Sequence, residues 1–159
     1  MNLSDPVKIR NLEATYRAWY CKICRDINAY TQPIESNSTG AGIPDLYGIT
    51  PWKHKPYWME FKVMQCIDDA IPFEPGQLNW LYGHSQMGGI SLVNILVGET
   101  IYIFSCRCVD RMTQQLKVGV AVRHSILKLS KRAIRDDMES VMEQIERLAD
   151  IDHSLIATP

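Results

Sequence analysis

The sequence predicts an α/β fold whose elements follow the order helix, two strands, helix, two strands, helix. Its 159 residues, of which 46% are hydrophobic and 22% are charged, are typical of one globular domain with a proper core. Apolar residues recur at helical spacing near both ends of the chain, and β-rich runs bounded by turn residues occupy the middle. We therefore expect a single domain over residues 1–159, with its core at about 40–106 and a C-terminal helix at about 130–150.

The first helix is predicted to run from about Pro6 to Arg25. Ser4 or Asp5 can serve as its N-cap, and proline is favoured at the first helical position. Apolar residues then recur at helical intervals, namely Val7, Leu12, Tyr16, Trp19 and Ile23. Thr31–Gly42 collects Pro, Ser, Asn, Thr and Gly without periodicity, so we expect a loop there.

Two hairpins and a short helix are predicted in the middle of the chain. Ile43–Ile49 and Tyr57–Val63 are β-rich and are joined by a turn-rich segment, which predicts the first hairpin. Ile90–Val97 and Thr100–Cys106 flank Gly98 and Glu99, which predicts the second. Between them, the apolar spacing from Gln77 onward indicates a short helix that ends before two glycines.

The C-terminal part is predicted to add a short strand and the last helix. Val118–Val122 is rich in valine and is a candidate for a fifth strand. Ser125 or Ser130 is expected to open the last helix, whose apolar face comprises Ile134, Met138, Val141, Met142, Ile145, Leu148 and Ala149. Such a face is typical either of core packing or of a dimer contact, and both interpretations stay open here.

Charge and hydropathy limit the classes of partner. The 17 Lys and Arg against 18 Asp and Glu give a net charge of -1, so any nucleic-acid contact must be local. The longest apolar runs, such as Ile90–Val97, fall far short of the ~18 residues that span a bilayer, and residues 1–10 lack the pattern of a signal peptide. We therefore expect no membrane anchor and a cytoplasmic protein.

The five cysteines are an odd number in a chain that is large enough to need no disulfides, so we expect reduced thiols. Two close pairs, Cys21 with Cys24 and Cys106 with Cys108, are candidates for a zinc site. The alternative is that they are small buried hydrophobes, which is the commoner role of a free cysteine.

The segment Glu60-Phe61-Lys62 carries the strongest chemical signal. Side chains alternate along a strand, so Glu60 and Lys62 project from one face about 7 Å apart, while Phe61 enters the other. Buried charges are costly unless they pair or bind a cation. If Asp45 faces Glu60 across the hairpin, the two carboxylates form a site suited to Mg²⁺ or Mn²⁺, and Lys62 can orient water or neutralise a phosphate. This set of residue types suits phosphodiester hydrolysis.

The motif Pro44-Asp45 followed by Glu60-Phe61-Lys62 resembles that of the PD-(D/E)xK nuclease superfamily. The glycine before Pro44 and the later segment 73–81, which leads through Gly88-Gly89 to a β run, resemble the branch of VRR-NUC domains and Holliday-junction resolvases. The resemblance implies a restriction-endonuclease-like core with a central mixed sheet of four or five strands flanked by helices. It also implies a Mg- or Mn-dependent endonuclease that acts on DNA, including branched DNA, and a homodimer.

The resemblance adds Gln77 as a catalytic residue next to Asp45, Glu60 and Lys62, and Glu13 as a further metal ligand next to Asp45 and Glu60. Glu35 is the alternative to Glu13. Non-catalytic interpretations stay open, in which Asp45 caps its own turn, Glu60 and Lys62 form an exposed salt bridge, Gln77 merely starts a helix and Glu13 is a surface residue.

Contacts to DNA are expected from basic residues near the site and from exposed aromatic rings. Lys53 and Lys55 in the turn of the first hairpin are taken as the basic residues nearest the site, and Arg17 on the first helix joins them. Further candidates on that helix are Arg10, Lys22 and Arg25. Trp52, together with Tyr47 and Tyr57, is a candidate for stacking on bases, although such rings commonly pack in the core.

Two other classes of function remain as alternatives. One is a catalytically inactive nuclease-fold module that binds nucleic acid or supports an assembly. The other is an interaction protein built around the amphipathic last helix. By analogy alone, the small size is also compatible with a phage or mobile-element origin.

Overall fold

The computed structural model describes residues 6–34, 42–74, 76–108, 117–123 and 125–149. Ser4 and Asp5, the predicted N-caps, and Glu35, the predicted alternative to Glu13, lie outside the described residues. The helices are α1 (Pro6–Asp26), α2 (Gln77–Gln86), α3 (Val118–Val122), α4 (Lys131–Asp136) and α5 (Met138–Ala149). The strands are β1 (Tyr30–Pro33), β2 (Leu46–Ile49), β3 (Pro56–Met64), β4 (Ile90–Val97), β5 (Thr100–Ser105) and β6 (Ser125–Ser130). A 3₁₀ turn, Cys106–Cys108, follows β5.

The six strands form one mixed sheet in sequential order from β1 to β6. β3 and β4 are parallel, and every other neighbouring pair is antiparallel. The α2 helix makes the crossover between the two parallel strands, as such a connection requires. The prediction of a mixed sheet flanked by helices, with both hairpins and the helices at Pro6 and Gln77, is therefore confirmed, but the sheet has six strands rather than four or five.

The sequence did not predict the strand β1. Residues 31–33 were predicted to be part of a loop, whereas Tyr30 pairs with Ile49 and Pro33 pairs with Leu46. β1 lies at the edge of the sheet, where exposed polar residues and a terminal proline are tolerated, so it shows none of the apolar alternation of an inner strand.

The C-terminal predictions need two corrections. Val118–Val122 is a helix rather than a strand, because Val118 and Ala121, three residues apart, both enter the core and the Ala121 amide donates to the carbonyl of Lys117. Residues 125–130 form β6, so the prediction that Ser125 opens the last helix is wrong. The alternative start at Ser130 is confirmed, since its Oγ accepts a hydrogen bond from the Ala133 amide. The predicted last helix is also interrupted at Asp137.

The two faces of the sheet carry two separate cores. Met59 and Phe61 point to the face covered by α1 and α5, where they join one large buried cluster. The apolar residues of α4 and α5 from Ile134 to Leu148 belong to that cluster, so core packing, rather than a dimer contact, accounts for the apolar face of the last helix. Met64 and Val93 point to the other face, where α2 and α3 complete a smaller cluster. Glu60 and Lys62 share this second face with Met64.

None of the described cysteine side chains forms a disulfide: Cys21, Cys24 and Cys106 are buried and Cys66 is exposed. Over the described ranges, no three His, Cys, Asp or Glu side chains are grouped as ligands for a metal, so the zinc hypothesis receives no support. Three of these four cysteines are buried, so they fit the interpretation as small hydrophobic residues of the core.

None of the described helices combines the length and the apolar character that crossing a membrane would require.

Candidate active site

The candidate site lies where β2 and β3 diverge. Their pairing ends at Leu46 and Met59, whereas β3 continues to Met64. Two carboxylates bind backbone amides of this continuing part: Asp45 Oδ2 accepts from the Phe61 amide at 2.9 Å, and Glu13 Oε1 accepts from the Val63 amide at 3.3 Å. Asp45, directly before the start of β2, and Glu13 on α1 therefore lie beside the strand that carries Glu60 and Lys62.

Glu60 and Lys62 form a buried ion pair. Their relative exposures are 1% and 5%, and Lys62 Nζ lies 2.7 Å from Glu60 Oε1. The interpretation of the two residues as an exposed salt bridge is therefore wrong. Gln77, the first residue of α2, bonds to both: its Nε2 donates to Glu60 Oε1 at 2.8 Å, and its Oε1 accepts from Lys62 Nζ at 3.4 Å. The start of the helix thereby fixes the acid and the amine of the strand.

The second oxygen of the Glu60 carboxylate, Oε2, is buried and has no hydrogen-bond partner among the described residues. Burial raises the pKa of Glu60 to about 8; the Lys62 ammonium opposes this shift and the Asp45 carboxylate adds to it. Burial also raises the pKa of Glu13. For Lys62, burial works against the charged form, but the carboxylates of Glu60 and Glu13 outweigh it and raise the pKa. The site therefore holds a permanent cation beside carboxyl groups that ionise with difficulty.

These side chains line one cavity of about 430 Å³, which we call the candidate cavity. Its charged and amide lining residues are Arg10, Glu13, Arg17, Asp45, Glu60, Lys62, Glu74 and Gln77. Arg17 Nη1 lies 2.9 Å from Asp45 Oδ1, and Arg10 forms a longer, exposed pair of 3.6 Å with Glu74. The structure thus brings together Asp45, Glu60, Lys62, Gln77, Glu13 and Arg17, six residues that the sequence predicted for the site. Their catalytic and binding roles stay predictions.

A contact between two glycines brings the Asp45 segment against the Gln77 segment. Gly42 has φ +97°, and a Cβ placed there would lie 2.7 Å from the carbonyl carbon of Gly76. Gly76 itself has φ 91° and is the N-cap of α2. Only glycine combines this backbone conformation with so close an approach. The contact sets the spacing between the loop before Asp45 and the helix that begins at Gln77.

The predicted DNA-contacting residues of the hairpin turn lie at the other end of the hairpin. Glu60 lies four residues after Pro56 along β3, a rise of about 13 Å, and the turn that holds Trp52, Lys53 and Lys55 lies beyond Pro56. The backbone amides of Trp52 and Lys53 donate to Glu146 on α5 instead. The expectation that Lys53 and Lys55 are the basic residues nearest the site is therefore wrong.

Besides Lys62, the basic residues that line the candidate cavity come from α1. Arg10, Glu13 and Arg17 are three and four residues apart, so they share one face of the helix. That spacing was readable in the sequence and could have selected Arg10 in place of the turn lysines. Tyr57, a candidate for stacking on bases, is fully buried, so that expectation is also wrong.

Most of the metal-binding atoms that line the candidate cavity are carboxylate oxygens, which suit a hard cation such as Mg²⁺. Within the described part of the chain no three acidic side chains converge as a ligand cluster. Mg²⁺ is usually bound through one or two carboxylates and completes its shell with water and substrate phosphate. The unpartnered Oε2 of Glu60 and the nearby carboxylate of Asp45 meet that smaller requirement.

No family model matches the chain, and no curated protein matches it. Among solved structures, the chain is similar to the 1.6 Å structure of Hjc, a Holliday junction resolvase from the archaeal hyperthermophile Archaeoglobus fulgidus. The match has a TM-score of 0.53 and covers 77% of this chain and 98% of that one. The chain has a restriction-endonuclease-like fold. With 9% sequence identity, the likeness shows the fold alone, and it confirms the predicted fold class.

Proposed function

We propose that the chain is a nuclease that hydrolyses phosphodiester bonds in DNA with the help of Mg²⁺ or Mn²⁺, and that it belongs to the PD-(D/E)xK type. The observation that carries the proposal is the buried Glu60 carboxylate: one oxygen is bound to Lys62 and Gln77, and the other has no partner among the described residues. An unsatisfied buried carboxylate oxygen costs free energy, and binding a cation would offset that cost.

Glu60 and Asp45 would hold the cation, and Glu13 is the further candidate ligand. The cation would supply Lewis-acid chemistry, which activates water for attack on phosphorus and neutralises the phosphate. Glu60 must lose its proton to bind, and Lys62 favours that loss because its ammonium lies 2.7 Å away.

Lys62 also keeps a positive charge where negative charge grows on the phosphate in the transition state. Gln77 would position both Glu60 and Lys62 without itself taking part in proton transfer. Arg17 is paired with Asp45 and lines the candidate cavity, so its guanidinium can donate hydrogen bonds to a phosphate of the DNA backbone.

The decisive test is cleavage of supercoiled, linear and four-way-junction DNA with Mg²⁺ or with EDTA. We expect cutting with the cation only, and loss of cutting in the Glu60→Gln and Lys62→Met variants. Lys128→Met is the matched control, because Lys128 is exposed on β6 and does not line the candidate cavity. Cutting that persists in Glu60→Gln, or in EDTA, would overturn the proposal.

A second candidate function is a catalytically inactive nuclease-fold module that binds nucleic acid. The observation in its favour is that both central carboxylates already have cationic partners, since Arg17 pairs with Asp45 and Lys62 pairs with Glu60. This module predicts DNA binding without any cutting, and binding that is the same in Mg²⁺ and in EDTA.

We also propose the branch of the nuclease superfamily to which the chain belongs and the shape of its DNA substrate. The Pro-Asp and Glu-Phe-Lys motif together with the resolvase-like fold supports the branch of VRR-NUC domains and Holliday-junction resolvases, and branched DNA as one substrate. Symmetric cutting of two strands would need two sites, so this proposal includes a homodimer. Light scattering of the protein with and without a four-way junction tests it, and a monomer under both conditions would refute it.

A further inference from the structure

Four aromatic rings lie side by side across one face of the sheet, and we call them the aromatic row: Tyr30, Tyr47, Trp58 and Trp80. Successive ring centroids are 6.4, 5.1 and 4.9 Å apart, and the ring planes meet at 57° to 69°. Because neighbouring rings meet edge to face or tilted, they do not stack on one another along the row. Within the described part of the chain, Trp80 is the one ring of the row with a stacked neighbour, His84, at 4.9 Å and 19°.

The aromatic row adjoins the candidate cavity. Trp58 lies two residues before Glu60 on β3 and therefore on the same face of the sheet. Trp80 lies three residues after Gln77 on α2 and therefore on the same side of the helix. The contact between Trp58 and Trp80 is therefore the neighbour, between the same strand and helix, of the contact between Glu60 and Gln77. The aromatic row thus starts directly beside the candidate site.

The row leads from the candidate cavity to the edge of the sheet. Tyr47 is directly opposite Trp58 in the pairing of β2 with β3, and Tyr30 lies on the edge strand β1. Tyr30 is 51% exposed, and the other three rings are partly exposed. Partly exposed rings that lie side by side form a contiguous apolar patch, which is a feature of ligand-binding surfaces.

We propose that the aromatic row binds the bases of an unpaired DNA strand whose backbone enters the candidate cavity. Every base has a π face, so partly exposed rings in a row bind single strands with little sequence preference. Basic residues that can bind the phosphates of a DNA strand lie at both ends of the aromatic row. At one end, Arg10, Arg17 and Lys62 line the cavity. At the other end, Lys55 comes directly before Pro56, and Pro56 pairs with Ile49, which in turn pairs with Tyr30. A duplex keeps its bases stacked inside and cannot offer them to the row.

This inference rests on the proposed function and narrows it, because it names unpaired DNA as the substrate class. The DNA strand would bind with one phosphate next to Lys62. The bases that follow would stack on Trp58, Tyr47 and Tyr30 in turn. Unpaired bases are absent from intact duplex and present in single strands, flaps and opened branch points, so the row would direct cutting to such places.

The test is binding of a fluorescent single-stranded DNA of about twelve nucleotides, measured by anisotropy in EDTA so that nothing is cut. We expect the double variant Tyr30→Ala, Tyr47→Ala to bind at least about tenfold more weakly than the unmodified protein, because each lost stacking contact weakens binding severalfold. Tyr30→Phe, Tyr47→Phe keeps both rings and should bind like the unmodified protein. Tyr82→Ala is the matched control, because Tyr82 is 41% exposed on α2 and is not part of the row.

Two further probes have the same length: the corresponding duplex and an abasic strand that carries phosphates without bases. We expect both to bind more weakly than the single strand and to be indifferent to the double alanine variant. The inference is overturned if the single strand binds that variant and the Tyr82→Ala control equally, or if the abasic strand binds as tightly as the normal one. An unchanged melting temperature of the double variant excludes loss of folding.

The outcome is independent of cleavage. If row-dependent binding is found but no DNA is cut in Mg²⁺, the row stands as a binding site and the proposed nuclease activity fails. If cutting is found but binding ignores the row, the nuclease proposal stands and this inference alone fails.

Discussion

Glu60 is the residue on which the proposals depend most, and its titration can be followed without any substrate. Burial raises its pKa to about 8 from an ordinary value of 4.5. Between these two values the folded protein keeps a proton on Glu60 that the unfolded chain has lost. The free energy of unfolding must therefore fall as pH rises through that range.

The first prediction is that the metal-free protein loses stability from about pH 5 to about pH 8, by no more than about 1.4 kcal/mol per pH unit for this one group. Urea unfolding in EDTA at several pH values measures it. Glu60→Gln cannot titrate, so its stability should depend less steeply on pH. A steeper dependence in the variant would show that the raised pKa of Glu60 is not the cause.

The second prediction concerns the cation. At a concentration of Mg²⁺ about a hundred times its dissociation constant, the folded protein should gain about 3 kcal/mol of stability at pH 8. The Glu60→Gln variant should gain little, because the amide cannot replace the carboxylate as a ligand. Glu143→Gln is the control, since Glu143 is exposed on α5, and it should respond to Mg²⁺ like the unmodified protein. Equal stabilisation of all three proteins would contradict a site at Glu60.

At the residue scale, the alternation of a strand was enough to predict that Glu60 and Lys62 share a face, and the structure confirms it. Two contacts could not be predicted. The bond from the Phe61 amide to Asp45 exists because the pairing with β3 stops at Leu46, where β2 begins, while β3 continues. The pair of Arg17 with Asp45 depends on how α1 lies across the sheet. Both depend on tertiary packing, which local patterns do not encode.

At the scale of elements, the loop before Asp45 and the start of α2 are held at a fixed spacing by the contact of Gly42 with Gly76. The third prediction is that Gly42→Ala lowers the free energy of unfolding by about 1 to 3 kcal/mol and lowers cleavage further, because Asp45 and Gln77 shift relative to each other. Thermal melting and the cleavage rate of the folded fraction measure the two effects.

Gly83→Ala is the matched control for that prediction. Gly83 lies within α2, and a Cβ placed there meets nothing within 4 Å. Replacing an exposed helical glycine by alanine stabilises a helix by about 0.5 to 1 kcal/mol, so this variant should be slightly more stable and equally active. Equal loss of activity in both glycine variants would contradict the role given to the contact of Gly42 with Gly76.

The hairpin turn at the other end of β2 and β3 is held by α5. Glu146 is 4% exposed and accepts hydrogen bonds from the amides of Lys53 and Trp52 at 2.8 and 3.2 Å. Although burial opposes ionisation, these bonds and that of Thr50 outweigh it and lower the pKa of Glu146.

The fourth prediction is that Glu146→Ala destabilises the fold by about 1 to 3 kcal/mol, because two backbone amides lose their acceptor. Cleavage per folded molecule should be unchanged, since the turn lies about 13 Å or more along the strand from Glu60. Urea unfolding and the cleavage assay separate these effects. Glu143→Ala, one turn earlier and exposed, should change neither. Loss of cleavage without loss of stability would contradict a purely structural role.

Elements with a strong apolar period were predicted with nearly correct bounds, and those without one were not. The first helix was predicted to end at Arg25 and ends at Asp26, and β4 has the predicted bounds. β1 was missed because an edge strand needs no apolar alternation. α3 was predicted as a strand because its valines favour strands, whereas packing against the second core selects a helix.

At the scale of the whole molecule, the nearly neutral charge predicts how the protein holds a nucleic acid. With a net charge of -1, the surface attracts phosphates only where basic residues gather, and Arg10, Arg17 and Lys62 at the candidate cavity are such a place. Stacking on aromatic rings needs no net charge and depends little on salt. A protein that binds a single strand in this way should therefore show a shallow salt dependence.

The fifth prediction gives that dependence a value. The three basic residues of the cavity can neutralise three phosphates, and Lys53 and Lys55 can raise that number to five. For single-stranded DNA, this corresponds to a slope of log affinity against log salt concentration of about -2 to -3.5. Anisotropy titrations in EDTA at several KCl concentrations measure it. Arg17→Gln should make the slope shallower by about 0.7, because one phosphate contact is lost, whereas Tyr30→Ala, Tyr47→Ala should lower the affinity at every salt concentration and leave the slope unchanged. A slope steeper than about -5 would mean that a wider basic surface than these residues holds the strand, and stacking would then not be the main source of affinity.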